Sequence, residues 1–252
     1  MSDTFSRRNF LHRASITSAG LLVPTLALNA QQQPVPSTAP HDAGKSASPA
    51  ADSDKPQGDE GISPAEDLMR EHGLLNRLLL IYDHHVHMLA AKQPFDRSVL
   101  SNAADIIRHF VEEYHEKLEE DFLFPRFRKA KKLVLLVDTL LAQHKAGRDL
   151  TAQIRELAGT ATLKYVSDSD KLGEALRAFL RMYRPHEARE DTVLFPAFRA
   201  IVSAHEYAAL GDDFEKKEDQ LFGEDGFFKV VDQVAQLEKK LGIYELTQFT
   251  PR

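Results

Sequence analysis

His115-Glu116-Lys117-Leu118-Glu119-Glu120-Asp121-Phe122-Leu123-Phe124-Pro125-Arg126-Phe127-Arg128 returns 71 residues later as His186-Glu187-Ala188-Arg189-Glu190-Asp191-Thr192-Val193-Leu194-Phe195-Pro196-Ala197-Phe198-Arg199. Both copies hold His-x-x-x-Glu, and both reach Phe-Pro-x-Phe-Arg at the same distance from the histidine. On a helix, positions i and i+4 lie about 40° apart around the axis and about 6 Å along it. A His nitrogen and a Glu carboxylate therefore project side by side from each copy, which suits a shared metal ion. Two further histidines repeat the offset: His72 precedes His115 by 43 residues, and His144 precedes His186 by 42. The pattern predicts a metal site built from a doubled unit.

The surrounding periodicity is helical throughout. Ser63-Pro64-Ala65-Glu66 is a capping box with proline at the first helical position. Leu68, His72, Leu75, Leu79, Tyr82, Val86 and Leu89 then come at spacings of four and three, the seam of a packed helix. Asp96 is a cap for a second helix through Ile107, Val111, His115, Leu118 and Phe122. A third carries Leu133, Val137, Leu140, His144, Gly147, Thr151 and Ile154. After the polar stretch around Ser167-Asp168-Ser169-Asp170, a fourth puts Leu172, Ala175, Phe179, Met182, His186, Glu190, Val193 and Ala197 on one face. Pro125 and Pro196, each ten residues after its histidine, are expected to kink or end their helices. Short connections favour an all-α, antiparallel up-down-up-down four-helix bundle over residues 62–202. A second capping box, Ser203-Ala204-His205-Glu206, and an amphipathic segment from Phe227 to Leu241 stopped by Gly242 predict one or two appended helices over 203–252.

The N-terminus stands apart. Ser6-Arg7-Arg8-Asn9-Phe10-Leu11 precedes an apolar run from Ile16 to Ala30, short for a membrane span. It resembles bacterial twin-arginine export signals at every defined position, so residues 1–30 are expected to be a signal peptide, with a retained anchor as the alternative. Residues 31–61 are rich in Pro, Ser, Ala, Asp and Gln and predict a disordered linker. His41 lies there and is discounted as a ligand. Without the signal, 29 basic and 37 acidic residues leave a formal net charge of −8, which favours neither nucleic acid nor anionic lipid. The absence of cysteine excludes disulfides and thiolate metal sites.

A lone inward histidine is more often a satisfied core residue than a ligand. Four of them beside two inward glutamates, all related by one internal offset, read differently. Two buried carboxylates need compensating positive charge, which a metal pair supplies. His84, His85 and His87 lie at least twelve residues from His72 and read as surface histidines. His109 and His205 receive no role. Tyr114 and Tyr183 flank the site and read as aromatic packing.

Through Arg70-Glu71-His72-Gly73-Leu74-Leu75-Asn76-Arg77-Leu78-Leu79, the two His-Glu-x-x-Glu phrases and the two Leu-Phe-Pro-x-Phe-Arg endings, residues 62–200 resemble the hemerythrin-like, His-His-Glu cation-binding family. The acidic extension around Glu218 to Phe222 resembles it less specifically. The resemblance implies a four-helix bundle holding two non-haem irons, oxo- or hydroxo-bridged, with other divalent cations admissible. By matching positions, His72 and His115 would bind one iron, His144 and His186 the other, and Glu119 and Glu190 would bridge both. The invertebrate oxygen carriers place a second histidine one turn after the third-helix histidine, and here that position is Arg148. Each iron then has five ligands, counting one solvent-derived bridge, and keeps a vacancy. Reversible oxygen carriage is less favoured than redox chemistry with dioxygen, peroxide or nitric oxide. Glu116 or Glu187 could swing in to fill a vacancy. At i+1 each points about 100° from its histidine, so the plain alternative is a solvated outer partner.

The expectation is an exported di-iron protein that binds or processes a small oxidant, with the export machinery as partner, no nucleic acid, and no membrane once the signal is cleaved. The alternatives are a non-catalytic module binding or sequestering iron or another divalent metal on the same residues, and a metal-free scaffold.

Overall fold

A computed structural model of the chain describes residues 62–159 and 166–251, which belong to one compact unit. The signal and linker expected over 1–61, with His41, lie outside the described residues. Every regular element among them is helical. Helix α1 spans Pro64–Ala90 and starts where the capping box placed it: Ser63 Oγ accepts the Glu66 N–H, with Pro64 opening the helix. Helix α2 runs over 97–130 behind Asp96, whose carboxylate accepts the Ser98 N–H at 2.9 Å. Helix α3 is Val134–Ala158, and helix α4 covers 166–199. Helices α5 (Ala204–Phe222) and α6 (Gly226–Leu241) complete the chain's long elements, α5 capped by Ser203 and α6 stopped by Gly242 at φ 68°.

Of the two outcomes expected at the prolines, neither helix ends; the helical geometry changes just before each of them. In α2 the turn before Pro125 widens to a π-helix over Glu119–Leu123, and α-helix resumes at Phe124–Ala130. In α4 the π segment is Glu190–Leu194, followed by Phe195–Arg199. A proline ring clashes with the carbonyl four residues earlier and offers no N–H. Hydrogen bonding to the fifth residue instead relaxes that clash.

Each π turn inserts one residue and rotates the downstream side chains by about 100°. The buried face therefore passes from Glu119 to Leu123 and Phe127, and from Glu190 to Leu194 and Phe198. Phe122, Val193 and Ala197, expected inward, are only half-buried. A further π segment, Ile107–His115, occurs in α2, while the corresponding stretch of α4 is α-helical.

Helix α1 packs on α2 and α4, and α3 packs on α2 and α4. Helix α6 lies against α1 and α2, and α5 against α1 and α6. Phe110 and Tyr114 of α2 meet Phe222, and Phe110 also meets Phe227. The attachment is completed by Arg77 of α1, which donates through Nε at 3.0 Å and Nη2 at 2.5 Å to the two oxygens of Glu238 on α6. Glu238 is buried, whereas Arg77 is partly exposed.

The cluster of histidines late in α1 divides differently from expectation. His87 is exposed and His84 half-buried, but His85 is fully buried, edge-on to Phe95 and bonded through Nδ1 to the Ile81 carbonyl at 2.7 Å. Burial lowers its pKa.

Arg77→Ala would leave the Glu238 carboxylate buried without its partner and should cost roughly 1–3 kcal/mol. Glu238→Gln, which keeps a hydrogen-bond acceptor, should cost less. Thermal melts of the two variants check the order.

Candidate metal centre

Helices α1 to α4 each deliver one histidine to a common point, and α2 and α4 add one glutamate each. His72, His115, His144, His186, Glu119 and Glu190 are all buried, the two glutamates to 0% exposure. They fall into two overlapping groups, His72, His115 and Glu119, and Glu119, His144, His186 and Glu190, whose donor atoms lie within 4.8 Å of one another. Nε2 of His72 and Nε2 of His115 are 3.0 Å apart. Two imidazole nitrogens bound at about 2.1 Å to one ion at a right angle would stand about 3 Å apart.

The carboxylates span the two histidine pairs. Glu190 Oε2 is 3.4 Å from His72 Nε2 and 3.1 Å from His186 Nε2. Glu119 Oε2 is 4.0 Å from His115 Nε2 and 3.4 Å from His144 Nε2. Despite these approaches, both oxygens of each glutamate, and Nε2 of His144, lack a hydrogen bond. Buried polar atoms are rarely left so. The donor set of imidazoles and carboxylates, with these atoms orphaned at its centre, fits metal ions.

The charges point the same way. His186 and His72 hold the Glu190 carboxyl below its ordinary pKa against the opposing effect of burial. Burial and the facing Glu190 charge drive Glu119 well above its own. His144 falls to about 4, burial outweighing Glu120. Burial would also lower His72, but Asp191, Glu190 and Glu119 raise it well above the usual imidazole value. Without an ion, protons must neutralise the cluster. A bound ion would take their place.

Each imidazole is oriented from behind. His72 Nδ1 donates to Asp191 at 2.7 Å, His115 Nδ1 to Glu71 at 2.7 Å, His144 Nδ1 to Glu120 at 3.1 Å, and His186 Nδ1 to Gln143 at 2.9 Å. With the proton on Nδ1, each Nε2 keeps its lone pair for the centre. Phe195 stacks on His72 and Phe124 on His144, at centroid distances of 5.4 and 5.5 Å. The phenylalanine of each Phe-Pro phrase thus walls off one histidine.

The four orienting residues were not singled out from the sequence. A signal was there: each is the chain neighbour of one of the six, and they occur at matching positions of the repeat, Glu71 with Gln143 and Glu120 with Asp191. Each reaches a histidine on another helix, which chain order does not reveal.

Glu116 and Glu187 are not solvated, as the plainer expectation had it. Both are buried, and burial raises each carboxyl to about 8. Tyr183 Oη donates to Glu116 Oε1 at 2.7 Å, and Arg148 Nη2 pairs with Glu116 Oε2 at 2.7 Å and with Glu120 Oε1 at 2.6 Å. Tyr183 is therefore a donor as well as a packing residue, while Tyr114 packs on Phe110 and Phe222. Gly147 makes room for Tyr183, since a Cβ there would stand 2.0 Å from Oη. Asn76, at the repeat position of Arg148, donates to Glu187 Oε2, and Glu187 Oε1 has no hydrogen-bond partner.

If the outer hydrogen bonds set the imidazole orientation, Asp191→Asn and Glu71→Gln should each weaken metal binding about 10–100-fold while leaving the helix content unchanged. Competition with a chelator, alongside circular dichroism, measures both.

The hemerythrin HHE cation-binding domain profile matches residues 63–198 and, again, 135–240. The second match begins 72 residues after the first, the offset that separates His72 from His144. The same profile thus fits α1 to α4 and then α3 to α6. Uncharacterized proteins of Mycobacterium tuberculosis and Mycobacterium bovis are 44% identical to this chain over 196 residues, covering 78% of it and 77% of each of theirs. No solved structure matches. The profile spans more than half the chain and encloses every residue of the converging His/Glu cluster, and on that ground the chain belongs to the hemerythrin HHE cation-binding domain family.

Proposed function

We propose that this protein is an exported non-haem di-iron protein that binds or processes a small oxidant such as dioxygen, peroxide or nitric oxide. The observation that carries the reading is the pair of fully buried carboxylates, each approaching one histidine of either pair and each left without a hydrogen bond. In this reading α1 to α4 form an antiparallel up-down-up-down bundle. His72 and His115 would hold one iron, His144 and His186 the other, and Glu119 and Glu190 would serve both. When bound, an iron pair supplies electron transfer and Lewis acidity towards small oxidants.

The chain's own residues prepare the place. Asp191, Glu71, Glu120 and Gln143 fix the imidazoles with lone pairs inward. Phe124 and Phe195 exclude water, which strengthens every charge interaction at the centre. The carboxylates offset the positive charge of the ions.

Purified protein loaded anaerobically with iron should hold two irons per chain and, in air, show a ligand-to-metal charge-transfer band in the near ultraviolet. A preparation with one zinc or no metal, and no such band, would overturn the reading. Glu119→Ala and Glu190→Ala should each lose both irons, because each removes a ligand from both and leaves a buried charge uncompensated. Either variant with a full di-iron complement would place the bridges elsewhere. Steady-state peroxide consumption separates turnover from the stoichiometric loss expected of a sequestering module.

Export rests on Ser6-Arg7-Arg8-Asn9-Phe10-Leu11 and is compatible with a bundle whose folding is coupled to metal binding. Replacing Arg7 and Arg8 with Lys should strand a folded, metal-replete precursor in the cytoplasm. An unfolded, metal-free precursor in that strain would show that loading happens after export.

A further inference from the structure

The two halves of the repeat differ at one pair of positions beside the centre. One turn after His72 stands Asn76, and one turn after His144 stands Arg148. Each side chain reaches the carboxylate just after a histidine on a neighbouring helix: Asn76 reaches Glu187, and Arg148 reaches Glu116. The consequences for the two carboxylates are unequal.

Glu116 accepts the Tyr183 hydroxyl on one oxygen, and its other oxygen, which makes no hydrogen bond, lies 2.7 Å from Arg148 Nη2 in an ion pair. Arg148 is itself anchored by Glu120, the residue that orients His144. The carboxylates of Glu116 and Glu120 and a nitrogen of His144 come within 4.8 Å of one another, a grouping able to hold a cation. The guanidinium already supplies that cation. An arginine stays charged at any ordinary pH and pairs strongly with carboxylates. Tyr183 is held over Gly147, where any other side chain would collide with its hydroxyl.

Glu187 has only a neutral amide on one oxygen, and its other oxygen is buried with no hydrogen-bond partner. The two carboxylates thus differ in having a cationic or only a neutral partner, and a buried carboxylate without a cation gains more from one than a carboxylate already in an ion pair.

We propose that Arg148 makes the two metal positions unequal: by clamping Glu116 outward it leaves the His144/His186 position open to a small exogenous anion, whereas Glu187 completes the His72/His115 position. This rests on the two-iron reading. Arg148 is a positioning residue that acts through Glu116. The small anion of the oxidant class would then meet one iron and not the other.

Azide is the probe, titrated into the iron-loaded full chain, with Mössbauer spectra of the azide-free protein as a second readout. Wild type should bind one azide per iron pair and show two distinct iron environments. Arg148→Asn copies the Asn76 half and releases Glu116 to the second iron. Azide affinity should fall at least about tenfold, equivalent to about 1.4 kcal/mol, and the two iron environments should converge. Arg148→Lys keeps a cation beside Glu116 and should retain most of the wild-type affinity. Tyr183→Phe removes only the second clamp and should weaken azide several-fold even if Arg148→Asn fails to fold. A two-iron Arg148→Asn or Tyr183→Phe protein with wild-type azide affinity would overturn the proposal while leaving the di-iron reading intact. Failure of wild type to take up two irons would instead defeat the reading beneath it.

Discussion

Two carboxylates with no access to water, Glu119 and Glu190, face each other across the middle of the helices. Like charges in such a place cannot both ionise without positive charge beside them, and the desolvation penalty is several kcal/mol for each. The rest of the centre answers that constraint. Four imidazoles surround the pair, and three more carboxylates and one amide hold those imidazoles in the tautomer that leaves a lone pair inward. Aromatic rings close the walls. Ions bound there would be the element that makes the whole arrangement electrically consistent.

The repeat extends well beyond the histidines. Glu71 matches Gln143, Glu120 matches Asp191, Phe124 matches Phe195, and a π turn begins on each central glutamate. That turn both accommodates the next proline and changes the buried face, so that Glu119 and Glu190 can serve the centre while Phe127 and Phe198 still meet in the core. A regular α-helix would have carried Phe122 and Val193 inward instead. The proline and the carboxylate are thus parts of one local device, repeated because the unit is repeated.

Where the halves depart from each other is as informative. Helix α6 is tied to α1 by Arg77 and Glu238, and the aromatic groups of α2 pack on α5 and α6, giving the α1–α2 side a cover. Arg148 replaces the amide of Asn76, and Tyr183 stands where the other half has Glu112. Substitutions just outside the histidines give Glu116 and Glu187 different partners.

The helical class, the caps at Ser63, Asp96 and Ser203, and the six converging residues were legible from the chain because local rules govern them. Capping depends on neighbours three residues apart, and a His and Glu four apart must share a helix face. Burial of Glu116, Glu187 and His85 was not legible, nor was the pairing of Arg148 with Glu116 and Glu120. These depend on which side chains from other helices meet the position, and spacing along one helix carries no such information. The register after Glu190 was hidden as well, because a single inserted residue rotates everything beyond it by about 100°. The sequence by itself determined which side chains could face inward and that they would do so twice. Only the packing of four helices decided which imidazole each carboxylate orients and which partners Glu116 and Glu187 receive, because those contacts join residues far apart in the chain, through helix neighbours that the order of residues does not specify.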